Sequence, residues 1–202
     1  MSELALRFSK QFSGRAIAVE APRGGVSRLY LPSDQSRAAL VAAVLKAKCE
    51  PGEELELLGE PVNALKPKAR EKMRRRVAGV SAAVGLMTNL NAWENITLAA
   101  AYHGTPPLER VAEITQDVLR AFGLEPMSFL ARLPEDLDAL ERKIAAFARL
   151  LIAAPELALI DGLHEGLNRN ERTQVARFET EFRARQPDST LIFVETREEE
   201  DG

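Results

Sequence analysis

The chain has 202 residues, a net charge of −3 and 46% apolar residues, enough to bury roughly 70% of its extended surface in one domain without covalent staples. That charge is too small to imply a polyanionic partner for the molecule as a whole, and the lone Cys49 excludes an internal disulfide and fits a reducing compartment. No apolar leader occupies the first residues, and no run of about 18 apolar residues suggests a membrane span.

Leu4, Leu6 and Phe8 alternate with polar residues, the pattern of a half-buried strand. Ala16 to Ala21 and Val26 to Leu31 predict two more strands, joined by the turn Pro22-Arg23-Gly24-Gly25. A tight turn and a helix over Ala38 to Lys48 follow. Ser33 or Asp34 can cap that helix. Glu53 to Leu58 predicts an outer strand and Val77 to Val80 a buried one. Between them, Lys66 to Arg76 carries seven basic residues in eleven. The run reads as a solvated helix face, with anionic lipid headgroups or nucleic acid as alternatives; no interleaved aromatics support the second.

Pro106 and Pro107 open a helix whose stripe is Leu108, Val111, Ile114, Val118, Leu119 and Phe122, and Gly123 ends it. The stretch Pro134 to Asn168 organises the rest. Leu137, Leu140, Ile144, Phe147, Leu150 and Leu151 share one helical face, Pro155 stops the helix, and Leu157 to Ile160 is an apolar run suited to a strand covered on both faces. Asp161 then stands at the strand's C-terminal edge, where open α/β sheets place ligands. Arg169 to Arg185 predicts a helix, Thr190 to Val194 a last buried strand, and Glu198 to Asp201 an acidic tail. His103 and His164 are too isolated to suggest a metal or a catalytic dyad.

In its order of elements this chain resembles the ATP-binding subunits of ABC transporters, from about Leu4 to Thr196. The resemblance implies an α/β, P-loop NTPase-like (ABC ATPase) sheet core flanked by helices, with shortened C-terminal elements. It implies a core over residues 1–84 and 152–202 and a helical subdomain over 85–151. The motifs depart from the family. The phosphate-binding loop corresponds to Leu31 to Leu40: Arg37 replaces the Lys, Ala38 and Ala39 the Ser/Thr pair, and Leu31, Asp34 and Ser36 its glycines. The signature LSGGQ is Leu137 to Glu141, LDALE, and Asp138 takes the place of its Ser. Asp161 matches the Walker B acid; Gly162 replaces the catalytic Glu, Asn168 the D-loop Asp, Ala82 the Q-loop Gln and Thr196 the switch His. Phe12 corresponds to the adenine-stacking aromatic or is a packed hairpin ring.

These departures lead us to expect a non-hydrolysing pseudo-ATPase with no resident cofactor and no metal, ATP with magnesium being the weaker possibility. Ser33, Asp34, Ser36, Arg37 and Asp161 would form the altered nucleotide site. Asn89 to Ile96 resembles the same segment in lipid-transport, MCE-associated subunits, which makes Leu86, Met87, Leu90 and Trp93 candidate contacts for a membrane permease. The expected partners are that permease or another ATP-binding subunit, with no nucleic acid, at the cytoplasmic inner face of the membrane. A weakly active ATPase subunit and a soluble regulator of a genuine one are the alternatives.

Overall fold

Leu6 and Phe8 point inward from β1 (Leu4–Phe12) and are wholly buried. The strand pairs antiparallel with β2 (Arg15–Pro22), Phe8 facing Val19. Its other edge pairs with β4 (Glu53–Leu57), where Phe8 faces Leu55. The two-residue β5 (Glu60–Pro61) completes a sheet of order β2-β1-β4-β5. This computed structural model describes residues 3–12, 15–82, 85–103 and 106–196. The Phe12 and His103 side chains and the acidic tail lie outside what is described.

The second sheet is parallel, with β3 (Gly25–Leu31), β8 (Thr190–Thr196), β7 (Leu157–Asp161) and β6 (Val77–Val80) in the order β3-β8-β7-β6. Its central strands are apolar almost throughout because both faces are covered. β6 lies so close to β7 that a Cβ on Gly79 would meet the Leu159 carbonyl oxygen at 2.8 Å. Glycine is required there by space.

Helix α1 (Asp34–Lys46) follows β3 and buries Leu40, Val41 and Val44. It begins one turn earlier than Ala38 because Ser33 and Ser36 form a reciprocal capping box. It ends at Ala47, in the left-handed region at φ 45°. The basic run forms α2 (Pro67–Arg76), started by Pro67 and held inward by Met73.

The chain divides into two compact units. One comprises Met1–Ala83, Pro155–Gly162 and Pro187–Gly202; the other comprises Val84–Ala154 and Leu163–Gln186. The second unit is helical. It contains α3 (Ala92–His103), α4 (Leu108–Ala121), α5 (Pro126–Leu130) and α6 (Ala139–Ala153). In place of one helix over Arg169 to Arg185 there are two, α7 (Arg169–Val175) and α8 (Arg177–Arg185), meeting at Ala176. Phe147 and Phe178 stack in its core with centroids 4.2 Å apart, and Phe122 meets both rings edge-on.

Candidate functional site

The turn between β3 and α1 brings four of the five predicted site residues to one place and ties them to the fifth. Ser33 Oγ accepts from the Ser36 N–H at 3.2 Å, and the Ser36 hydroxyl donates to the Ser33 carbonyl at 2.7 Å. The Arg37 N–H donates to Ser33 as the helix begins. The Ser36 N–H, one of the donors that a bound anion would seek at a helix N-terminus, is thus met by the chain's own hydroxyl.

Arg37 reaches across the C-terminal edge of the sheet. Its Nη1 stands 3.1 Å from Asp161 Oδ1, and both side chains are nearly buried, at 14% and 13% exposed. Its Nη2 lies 3.4 Å from Asp34, whose side chain is 81% exposed. Asp34 also accepts a 2.6 Å hydrogen bond from the Thr196 hydroxyl at the end of β8. Ser33, Asp34, Ser36, Arg37 and Asp161 therefore form one network, with Thr196 as a member.

Gly162 has a backbone reason to be glycine. It takes φ +59°, a left-handed conformation that a glutamate would resist, and its N–H donates to the Val194 carbonyl. At the signature position, Asp138 and Glu141 form a second capping box that starts α6, and Arg132 donates to the two Glu141 oxygens from its two terminal nitrogens, Nη1 and Nη2. Burial pushes the Glu141 carboxyl up, but Arg132 and the Asp138 N–H outweigh it and hold the group below the ordinary carboxylate range. Asn168 caps α7 in the same way.

The predicted contact residues sit around the start of α3. Asn91 and Glu94 cap that helix reciprocally. Asn95, wholly buried, is the residue that sequence reasoning missed. Its amide donates to the carbonyls of Met87, Leu90 and Asn91, and its oxygen accepts from the Met87 N–H at 2.7 Å. The clamp fixes the loop bearing Met87, which is 47% exposed, and Leu86 and Leu90, which with Trp93 are half-buried. An Asn one turn inside a helix is a poor helix former, and that mismatch was the available signal.

No protein-family profile matches the chain. Over 165 residues it is 29% identical to the sulfate/thiosulfate import ATP-binding protein CysA of Acinetobacter baylyi, covering 80% of this chain and 45% of that protein. Over 88 residues it is 38% identical to the nickel import ATP-binding protein NikO of Rhodobacter capsulatus, 43% of this chain and 34% of the relative. The structure of cbiO1 from Clostridium perfringens, part of the ABC transporter complex cbiONQ, superposes with a TM-score of 0.74 at 15% identity, covering 96% of this chain and 79% of that one. The chain has the fold of an ABC-type cassette.

A second neighbour of the cassette, the ATP-binding cassette MJ0796 in a post-hydrolysis state bound to ADP and Pi, has a TM-score of 0.71 at 19% identity and covers 98% of this chain and 88% of that one. The α/β, P-loop NTPase-like fold is thereby shown. The cassette spans less than half the length of the curated relatives it matches. Their kinship corrects one expectation. The altered motifs led us to read a non-hydrolysing pseudo-ATPase, yet the relatives are ATP-binding proteins of importers, and nothing in that kinship sets this chain apart as inert. Motif identity was too narrow a criterion, because it counted replaced residues without asking what the replacements hold.

As a donor set the turn suits an anion better than a metal. Arg37 offers a guanidinium fork, while Ala38 and Ala39 carry no hydroxyl for magnesium. Among the described residues, no group of three or more His, Cys, Asp or Glu could hold a metal ion, and no helix is long and apolar enough to cross a membrane.

Proposed function

We propose that this cassette is the ATP-binding subunit of a membrane transport complex, peripheral to the inner face of the membrane, and that its helical unit docks a permease through Met87, Leu90 and Trp93. The Asn95 clamp carries the reading. A buried amide makes four hydrogen bonds to hold a loop in place, yet that loop keeps Met87 in water. A rigid, partly apolar loop is what a partner can recognise with little loss of conformational entropy on binding. The likeness of Asn89 to Ile96 to lipid-transport subunits supports a lipid or another hydrophobic compound as cargo.

Nucleotide would enter at the turn before α1. A bound nucleotide supplies the charge change that couples such a subunit to its partner. For its part, the chain must open the Ser33–Ser36 box, move the Asp34 carboxylate off Arg37 and Thr196, and keep Asp161 as a counter-charge that orients the Arg37 fork. Two carboxylates so close to the entry point predict weak affinity, since like charges at ~4 Å cost about 1 kcal/mol in water and several times more when partly buried.

Affinity capture from membranes tests the docking. The wild-type chain should retain a permease, and Leu90→Asp with Trp93→Ala should lose it. A thermal-shift titration with Mg-ATP tests the turn: ligand at 100 times its Kd adds about 2.7 kcal/mol, and Arg37→Ala should abolish the gain. Docking indifferent to both loop substitutions, with a melt unmoved by millimolar Mg-ATP, would refute the proposal.

A further inference from the structure

The basic helix α2 has no role in the reading above. Met73 is the inward anchor, 1% exposed, and Ala69 and Arg70 flank it, half-buried. At 100° per residue the outer half of the helix carries Lys68, Glu71, Lys72, Arg74 and Arg75. Arg75 pairs with Glu71 at 2.8 Å, and Arg76, near the inner side, is held by Glu60 and Glu156. Among the described residues, the side chains of Lys66, Lys68, Lys72 and Arg74 make no ion pair or hydrogen bond, and all four are exposed. A chain of net charge −3 therefore concentrates three unneutralised cations, Lys68, Lys72 and Arg74, on one outward face about 9 Å long, with Lys66 exposed at the helix's N-cap.

We propose that this face of α2 binds the surface of an anionic bilayer. The array has the features such a surface selects: several exposed cations, mostly lysine, on the outward side of a short helix. A single-stranded nucleic acid site would add aromatic platforms for the bases, and Lys66 to Arg76 contains no aromatic residue. Each cation near an anionic leaflet is worth about fivefold in partitioning at physiological ionic strength. Three of them together contribute on the order of 100-fold, and that gain falls as salt shortens the Debye length. The proposal rests on the reading of the cassette as a membrane-peripheral subunit. Its test uses lipid alone, so failure to dock a permease and failure to bind a bilayer are separate results.

The experiment is co-sedimentation of the full chain with vesicles of phosphatidylcholine alone or mixed with phosphatidylglycerol. The wild-type chain should bind the mixed vesicles, ignore the neutral ones and release at high salt. Lys68→Gln/Lys72→Gln/Arg74→Gln should weaken binding on the order of 100-fold with an unchanged melting temperature, and Lys72→Gln alone about fivefold. Equal binding to both vesicle types would overturn the proposal. So would no binding to the mixed vesicles, wild-type binding by the triple variant, or displacement of vesicles by single-stranded RNA at equal phosphate concentration.

Discussion

Consider replacing Arg37 with alanine. The guanidinium stands 3.1 Å from the Asp161 carboxylate, a separation at which two unit charges attract by about 5 kcal/mol at an effective dielectric of 20. Desolvation offsets much of that, because both side chains are only 14% and 13% exposed. The contact to Asp34, 81% exposed, adds little. A net coupling of about 1–3 kcal/mol remains. Urea unfolding of the wild type, Arg37→Ala, Asp161→Ala and the double variant measures it. With a slope of about 1–3 kcal/mol/M, each single variant should shift its midpoint by roughly 1 M. The double variant should be no worse than the poorer single, because removing both charges leaves neither one buried without its counterpart. A coupling below about 0.5 kcal/mol would show that Arg37 and Asp161 meet without holding each other, and the account of the turn as a closed network would fail.

Three further outcomes follow from the packing and the charges. Gly79→Ala drives a methyl against the Leu159 carbonyl oxygen at 2.8 Å and against Leu45, so it should destabilise the α/β unit by about 1–3 kcal/mol, read as a lowered melting temperature. Phe147→Ala removes the stacking partner of Phe178 from a wholly buried site and should lose about 3–5 kcal/mol by calorimetry. Glu156 is held below the ordinary carboxylate range first by the Arg76 hydrogen bond and then by Arg23. A depressed carboxylate stabilises the fold above its unfolded pKa, and that stability is lost as pH falls through the lowered folded value. Glu156→Gln should therefore flatten the acid limb of the stability–pH curve and leave the neutral-to-alkaline side level.

Most of the sheet was legible because its signals are local. Alternation at Leu4, Leu6 and Phe8 and the apolar run Leu157 to Ile160 each report their own burial. The capping of α1 by Ser33 was legible for the same reason, since Ser33 and Ser36 act on adjacent backbone. The pairing of Arg37 with Asp161 was not. The two residues are far apart in sequence and meet only because β3, β8 and β7 lie side by side, so each was read as a possible ligand for something else. The break at Ala176 has no glycine or proline to announce it, and β5, only two residues long, falls below any periodicity. Asn95 escaped because its work is done on the loop before it, through carbonyls that no side-chain pattern reveals.

The parallel sheet joins Val26 to Leu191, and that pairing affects how the protein is made. On the ribosome, β8 emerges last of these strands, on the order of ten seconds after β3 at about 5–20 residues per second. Until then β3 and β7 each offer a bare, apolar edge to any neighbouring chain. Nascent copies should therefore need holding by a chaperone, and slowing translation should lower the yield of soluble protein.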